Sequence, residues 1–376
     1  MKIATKLPLP KSSSRNRIFQ VILENDGISQ QLIAEKLNLS IPTIRQSLKE
    51  LYAEGIIREV GYYESTGGRK AAKISIDASA KIAIGVELLK ESIQIVAINL
   101  KGTAIREQFI SMPFSNTEEY YSFFGSSVNN FIDGFQLPGS NFLGIYISVQ
   151  GLVSREGDVV VSGDILGYTG TTKDVFEKYL KYPCRLLHDT EAAAFAELWN
   201  QPDIVNAIYI VLNRYLGGAL IINRKVYQGE ELSSGCIIEH MRLVPNGKKC
   251  YCGQNGCLEA YCSVSSIERE AGTDIESFFK LLAEGDPHIA AIFNDFLEHL
   301  ALAINNIRMV IDCDFIIGGL LEEYLSEEHL SYIAKRVNEI AAFNYSPFSY
   351  RHSYHGRKAA SRGAALILLN EYLNRI

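Results

Sequence analysis

The sequence predicts an α/β protein in three parts, a small winged helix-turn-helix followed by two lobes of alternating strands and helices. Three observations predict it. The front of the chain carries three short helical patterns and a β tail, and from Lys81 onward blocks of apolar strands are followed by helices, twice over. The charge divides at the same place: residues 1–78 hold 12 Lys and Arg against 8 Asp and Glu, whereas the remainder holds 25 against 35, within an overall charge of −6. Only the front segment has the sign that a phosphate backbone attracts. The expected domains are therefore 1–78, a winged helix-turn-helix with a basic linker; 79–198, a first α/β lobe; and 199–376, a second, with the final helix free to pack back on the first.

With 376 residues, 47% of them apolar, the chain has material for two or three cores, which excludes a disordered or collagen-like protein. No apolar run approaches the ~18 to 20 residues of a membrane helix. The N-terminus (Met1, Lys2, Lys6, Pro8, Pro10, Lys11) lacks a signal-peptide core, so a cytoplasmic location is expected. Three of the seven cysteines fall within eight residues, a cluster that in such a protein points to metal before disulfide.

Ser13 to Glu24 reads as a helix, with Ile18, Val21 and Ile22 on one face and Gly27 closing it. A second runs from Ser29 to Leu37, with Leu32, Ile33 and Leu37 inward. After the turn Asn38-Leu39-Ser40, Ser40 caps a third helix with Pro42 in its first turn. Ile44, Leu48 and Leu51 form its buried stripe, leaving Thr43, Arg45, Gln46 and Lys49 on other faces. Two helices joined by a tight turn, the second presenting those four side chains, offer hydrogen bonds to a major groove. Ile56 to Val60 and Tyr62 to Glu64 read as two strands of a wing. The linker Ser65-Thr66-Gly67-Gly68-Arg69-Lys70 follows; Arg69 and Lys70 are its DNA-contacting candidates, with Arg69 suited to a narrow, electronegative minor groove.

In the body, Ile82 to Val86, Ile93 to Ile98 and Ala104 to Ile110 read as strands. Tyr120 to Phe135 reads as a helix, Leu143 to Val149 as a strand, Thr172 to Tyr182 as a helix, and Cys184 to Leu187 as a strand entering the helix Glu191 to Trp199. The cycle repeats with strands at Ala207 to Leu212 and Ala219 to Ile222, helices near 263–284 and 287–310, the strand Phe315 to Ile317 and a final helix from Ser361. Two similar lobes of this kind place ligand sites between them.

These features resemble the ROK family (repressors, open reading frames and sugar kinases), of the actin-like ATPase-domain fold, and in particular its winged-helix repressors that respond to N-acetylglucosamine, xylose and glucose. The resemblance covers nearly the whole sequence. Its most specific segment, Cys250-Tyr251-Cys252-Gly253-Gln254-Asn255-Gly256-Cys257-Leu258-Glu259, is similar to the family's CxCGxxGCxE signature. The two glycines let the chain fold back so that Cys250, Cys252 and Cys257 converge, and His240 can complete a tetrahedral Cys3His site, closed and hence structural. The resemblance likewise places Zn2+ on these four residues. Cys236 and Cys262 stand outside the pattern, and Cys184 and Cys313 read as core.

For a sugar pocket, the resemblance implies Glu259, which ends the cysteine motif; His240, the histidine of GEIGH; Asp189, the general base of family kinases; and Gly151, a loop glycine beside the sugar. Asp164 falls where kinases usually have the asparagine of SPNLPGW. His188 replaces the asparagine of the kinases' Asn-Asp pair, as in the N-acetylglucosamine- and glucose-responsive repressors. One carboxylate is missing. Where the family has the glutamate of GEIGH, Gly235-Cys236-Ile237-Ile238-Glu239-His240 offers Cys236 or Ile237, depending on the placement of a gap. Either the effector differs from the usual hexose, or Glu239 reaches the site by another route.

The family's first nucleotide loop, DxGGT, lets backbone amides approach phosphate. Here Gly85-Val86-Glu87-Leu88-Leu89-Lys90-Glu91 has lost both glycines and the threonine. The second, GTGIGGG, has become Asn213-Arg214-Tyr215-Leu216-Gly217-Gly218-Ala219, with bulky groups where phosphates lie; Gly318-Gly319 remains. Asp189 then reads as a binding carboxylate, and neither ATP nor enzymatic activity is expected. The sequence points to a repressor of carbohydrate-utilisation genes, a homodimer or homotetramer that binds palindromic operator DNA and responds to a sugar or sugar phosphate. The alternatives are an active sugar kinase carrying a DNA-binding domain, and a regulator governed by a protein partner, with a vestigial pocket.

Overall fold

Three serines start the N-terminal helices. Ser13, Ser29 and Ser40 accept hydrogen bonds from the backbone N–H groups of Asn16, Leu32 and Thr43, at the heads of α1 (Ser14–Glu24), α2 (Gln30–Leu37) and α3 (Ile41–Ala53), satisfying donors that helix geometry leaves free. This computed structural model describes residues 13–64, 70–232, 235–343 and 350–376. Ile18, Ile22, Ile33, Ile44, Leu48 and Leu51 are buried, but Leu32 is 41% exposed; two turns of helix are too few for periodicity to fix its face. The wing also departs from expectation. The segments Ile56–Val60 and Tyr62–Glu64 do not form two strands but largely one, β1 (Ile57–Tyr62), paired antiparallel with β2 (Ala72–Ile76). Gly61, at φ 140, lies where the register shifts between Glu59 and Tyr62, bending the strand without reversing it. Arg69 lies outside the described residues; Lys70 is exposed.

The first lobe runs β3 (Ile82–Leu88), β4 (Ser92–Asn99), β5 (Ala104–Ser111), α4 (Glu118–Asp133), β6 (Phe142–Val149), β7 (Leu152–Val153), β8 (Val160–Ser162), α5 (Lys173–Glu177), β9 (Cys184–His188) and α6 (Asp189–Asn200). Its sheet has the order β5-β4-β3-β6-β9, an antiparallel meander extended by parallel strands. The helix expected over Thr172–Tyr182 shrinks to α5.

The second lobe runs β10 (Ala207–Leu212), β11 (Leu216–Ile222), β12 (Lys225–Val226), α7 (Glu259–Cys262), α8 (Val264–Ala271), α9 (Ile275–Ala283), α10 (Pro287–Arg308), β13 (Asp314–Gly318), α11 (Glu327–Ile340), β14 (Tyr350–His352) and α12 (Ala359–Leu373). The order β12-β11-β10-β13-β14 repeats the first sheet's pattern of antiparallel and parallel pairs. The stretch 263–284 is two helices, because Gly272 ends α8 in the left-handed conformation at φ 67,. Among the described residues no helix is long and apolar enough to cross a membrane.

The helix that ends each lobe crosses to the other: α6 packs on β11 and β12, and α12 on β3, β4 and β6. The two helices meet backbone to backbone. A Cβ on Gly363 would sit 1.7 Å from the Ala192 carbonyl oxygen, and one on Gly85 would sit 2.0 Å from that of Ser361. The far end of α12 reaches the N-terminal helices, where Leu366, Leu369 and Leu373 share one core with Ile18, Phe19, Ile44 and Leu51. Asn16 Nδ2 donates to the Leu373 carbonyl at 2.7 Å.

Candidate functional site

The crossing of α6 and α12 leaves a cleft between the lobes, and the ends of β6, β9 and β10 open into it. A cavity of about 360 Å³ there is lined by Gly151, Asp164, His188, Asp189 and His240, among others. Five of the six residues that the sequence singles out for a sugar are thus brought together. Asp189 opens α6, its Oδ1 accepting from the Thr190 backbone N–H at 2.8 Å and lying 3.4 Å from His188 Nδ1. Burial raises its carboxyl above the ordinary value, against the pull of His188,. His188 Nδ1 faces the Gly151 carbonyl at 2.9 Å. A carbonyl can only accept, so Nδ1 carries a proton and in the neutral ring Nε2 is an acceptor. Asp164 is exposed at the rim, accepting from Ser162 Oγ at 3.3 Å.

Glu259 stands apart. It is 4% exposed, and its Oε2 accepts from the Leu216 backbone N–H at 2.6 Å, so the carboxylate is held behind Leu216, which is itself part of the wall. Burial pushes its carboxyl up to about 7, opposed by that amide and the Ser263 hydroxyl.

The structure adds residues that sequence reasoning missed or left open. Gln150, Tyr215 and Tyr251 line the cavity, and so does Glu239, on the short turn Ile238–His240. Burial pushes the Glu239 carboxyl up to about 8, with further contributions from Asp189 and Glu259. The only sequence signal for Glu239 is its place beside His240, where the family pattern has glycine.

The cysteine motif forms a compact knot against this wall. Gly253 and Gly256, at φ 86 and 81, fold the chain back,. The ligand atoms of His240, Cys250, Cys252 and Cys257 lie within 4.8 Å of one another. His240 Nδ1 is 3.7 Å from Cys250 Sγ, while its Nε2 faces Tyr251 Oη at 3.2 Å. Three thiols and one imidazole nitrogen make a donor set that fits a closed tetrahedral metal site.

A second cavity, of about 250 Å³, adjoins the first at Gln150 and Tyr215 and is lined by Glu87, Lys90, Arg214 and Arg357. It lies at the positions that match the nucleotide loops. Gly217 and Gly218 are inside β11, where Thr190 and Ile238 fill the space of the absent Cβ atoms. Asn213 Oδ1 accepts from the Leu320 N–H at 2.7 Å, Arg214 pairs with Glu268 at 2.9 Å, and Arg357 with Glu323 at 2.7 Å. Glu87 is buried, its carboxyl pushed up to about 8 by burial and by Asp189.

At the other end of the molecule, Thr43, Arg45, Gln46 and Lys49 are all exposed along α3. Gln46 Nε2 donates to Glu50 Oε1 at 2.8 Å, and Thr43 Oγ1 bonds to Ser40 Oγ at 2.8 Å.

Comparison with known proteins agrees with this layout. Residues 83–371 match the ROK family, and residues 12–58 match a winged helix-turn-helix DNA-binding family. The chain is 23% identical over 379 residues to the xylose repressor of Bacillus subtilis, with 97% of each covered. It is 26% identical over 264 residues to the DNA-binding transcriptional dual regulator NagC of Escherichia coli, covering 69% of this chain and 65% of that protein. Among solved structures, a ROK family transcriptional regulator, homolog of the E. coli MLC protein, superposes with a TM-score of 0.78 at 21% identity over 96% of both chains. A ROK family glucokinase from Streptomyces griseus, in complex with glucose and AMPPNP, gives 0.67 at 22% identity over 76% of this chain and 98% of that one. With the family match running through both lobes and the DNA-binding match over the front helices, this protein belongs to the ROK family and carries a winged helix-turn-helix ahead of it.

Proposed function

We propose that this protein is a sugar-responsive transcriptional repressor of carbohydrate-utilisation genes and not an enzyme. The observation that carries this reading is the single core joining α1 and α3 to α12, which lies against α6, the helix that begins at Asp189 in the cavity. In this reading residues 1–78 bind operator DNA, 79–198 and 199–376 form the sensing lobes, and the protein works as a homodimer or homotetramer on a palindromic site. Thr43, Arg45, Gln46, Lys49, Arg69 and Lys70 contact DNA; Gly151, Asp164, His188, Asp189, His240 and Glu259 serve the sugar; His240, Cys250, Cys252 and Cys257 hold Zn2+. The sugar acts by preferring one arrangement of the lobes, and can shift DNA affinity only by that preference.

The test is a gel shift on the promoter of its own operon, with and without sugars. Salt-sensitive, sequence-selective binding that a sugar weakens is the expected result; binding without sequence preference removes the reading. A kinase reading has one observation in its favour, Asp189 facing the cavity. Sugar-dependent ATP consumption abolished by Asp189→Asn would establish it.

A further inference from the structure

The wall of the first cavity has a consistent chemistry. Glu239 is 5% exposed, and Gln150 and His188 are each 6% exposed. Glu239 Oε2, Gln150 Oε1 and His188 Nε2 are buried without a hydrogen-bond partner. Gln150 Oε1 is an acceptor, as is His188 Nε2 in the tautomer that the Gly151 carbonyl imposes, and Glu239 Oε2 accepts when its carboxyl is ionised or carries the proton on the other oxygen,. Leaving such atoms unmet is costly, so a native ligand is expected to supply donors. The charged side chains on the same wall are Asp164, Asp189 and Glu239; among the described residues that line it there is no Lys or Arg.

We propose that Glu239 holds the effector, taking over from the carboxylate missing three positions before His240, and that the effector is an unphosphorylated sugar. The turn that carries His240 also carries Glu239, and it delivers this carboxylate from the position next to the histidine while Ile237, on the same turn, supplies an apolar edge. Sugar hydroxyls donate to Glu239, Gln150 and His188. A phosphate dianion brings acceptors only, and sets two negative charges beside Asp164 on a wall that already resists the ionisation of Asp189 and Glu239,. Of the three cations among the described residues lining the adjoining cavity, Arg214 and Arg357 are paired with Glu268 and Glu323, and Lys90 lines that cavity and not this one.

This inference rests on the sugar-responsive reading, and calorimetry on the full chain separates the two. The probes are xylose, glucose and N-acetylglucosamine, with the 6-phosphates of the two hexoses. The expected result is that one free sugar binds, that hexose 6-phosphates bind at least ~10-fold more weakly than a free sugar, and that Glu239→Gln weakens the free sugar by ~10- to 100-fold, a buried hydrogen bond being at stake. Zinc content and melting temperature report whether the variant is folded; if it is not, the comparison of free and phosphorylated sugars on the unaltered protein still decides the ligand class. A 6-phosphate binding as tightly as any free sugar overturns the class, and a folded Glu239→Gln protein with unchanged affinity overturns the residue. If no member of either series binds while operator binding persists, the sugar-responsive reading itself falls.

Discussion

Glu87 ends its side chain in the interior with Oε2 unpartnered, near Asp189 and the first turn of α12. Its carboxyl is pushed up to about 8, against an ordinary value of 4.5. Between those values the folded protein keeps a proton that the unfolded chain has released, so stability falls as pH rises through the window. Glu87→Gln cannot ionise, and its stability advantage should grow by ~3 kcal/mol between about pH 5 and pH 8.5; equal urea midpoints for the two proteins at both pH values would refute this. On α3, Arg45→Ala or Gln46→Ala should relax base preference at one operator position by roughly 1–3 kcal/mol. Lys49→Ala should weaken all sequences alike and lower the salt slope by about one. Gel shifts on operators substituted base by base distinguish the two. The exposure of these α3 side chains was legible in the sequence because Ile44, Leu48 and Leu51 define the opposite face. The fate of Glu239 was not legible, since whether a residue on a single turn points inward depends on what the rest of the chain packs against it.

At the scale of elements, local signals were read well where chemistry forces them. Ser13, Ser29 and Ser40 cap their helices, and two glycines at positive φ close the cysteine knot. Signals were misread where a single residue allows two outcomes. Ile56–Val60 and Tyr62–Glu64 read as two strands, but Gly61 between them bends a single strand, and the partner strand comes from residues beyond the linker. α11 went unread although Ser326 and His329 form a reciprocal cap at its start; its outer face is dense in charge, which masks the buried stripe of Leu330, Ile333 and Val337. The crossing of α6 and α12 has a direct test. Gly363→Ala sets a methyl group against the Ala192 carbonyl and should cost roughly 3 kcal/mol or separate the helices, which urea unfolding measures. The cysteine knot has another: chelation, or Cys257→Ser, should lower both the melting temperature and sugar affinity, and metal analysis should find about one zinc per chain.

For the whole molecule, the alternation of strands and helices revealed two lobes, but not that each lobe's last helix belongs to the other's sheet. Periodicity describes which face of a helix is apolar, not which surface covers it. The exchange makes one continuous body. Glu197 of α6 accepts hydrogen bonds from Ser353 Oγ at 2.6 Å and the Tyr354 N–H at 2.9 Å, in the segment leading to α12. α12 in turn holds Asn16 through Leu373. These contacts offer a route by which a change in the angle between the lobes would reach the seat of the N-terminal helices,. Asn16→Ala should cost roughly 1 kcal/mol, leave sugar affinity unchanged and shrink the sugar-induced loss of operator binding. An unaltered sugar response in gel shifts would show that the coupling runs elsewhere.

The bond between Asn16 and Leu373 spans 357 positions. At the usual ~5 to 20 residues per second of synthesis, these partners emerge from the ribosome roughly 20 to 70 s apart. For that interval Ile18, Phe19 and Ile22 have no α12 to lie against. The N-terminal helices are thus made well before the helix that seats them, so operator binding that answers to the lobes needs the chain as far as α12.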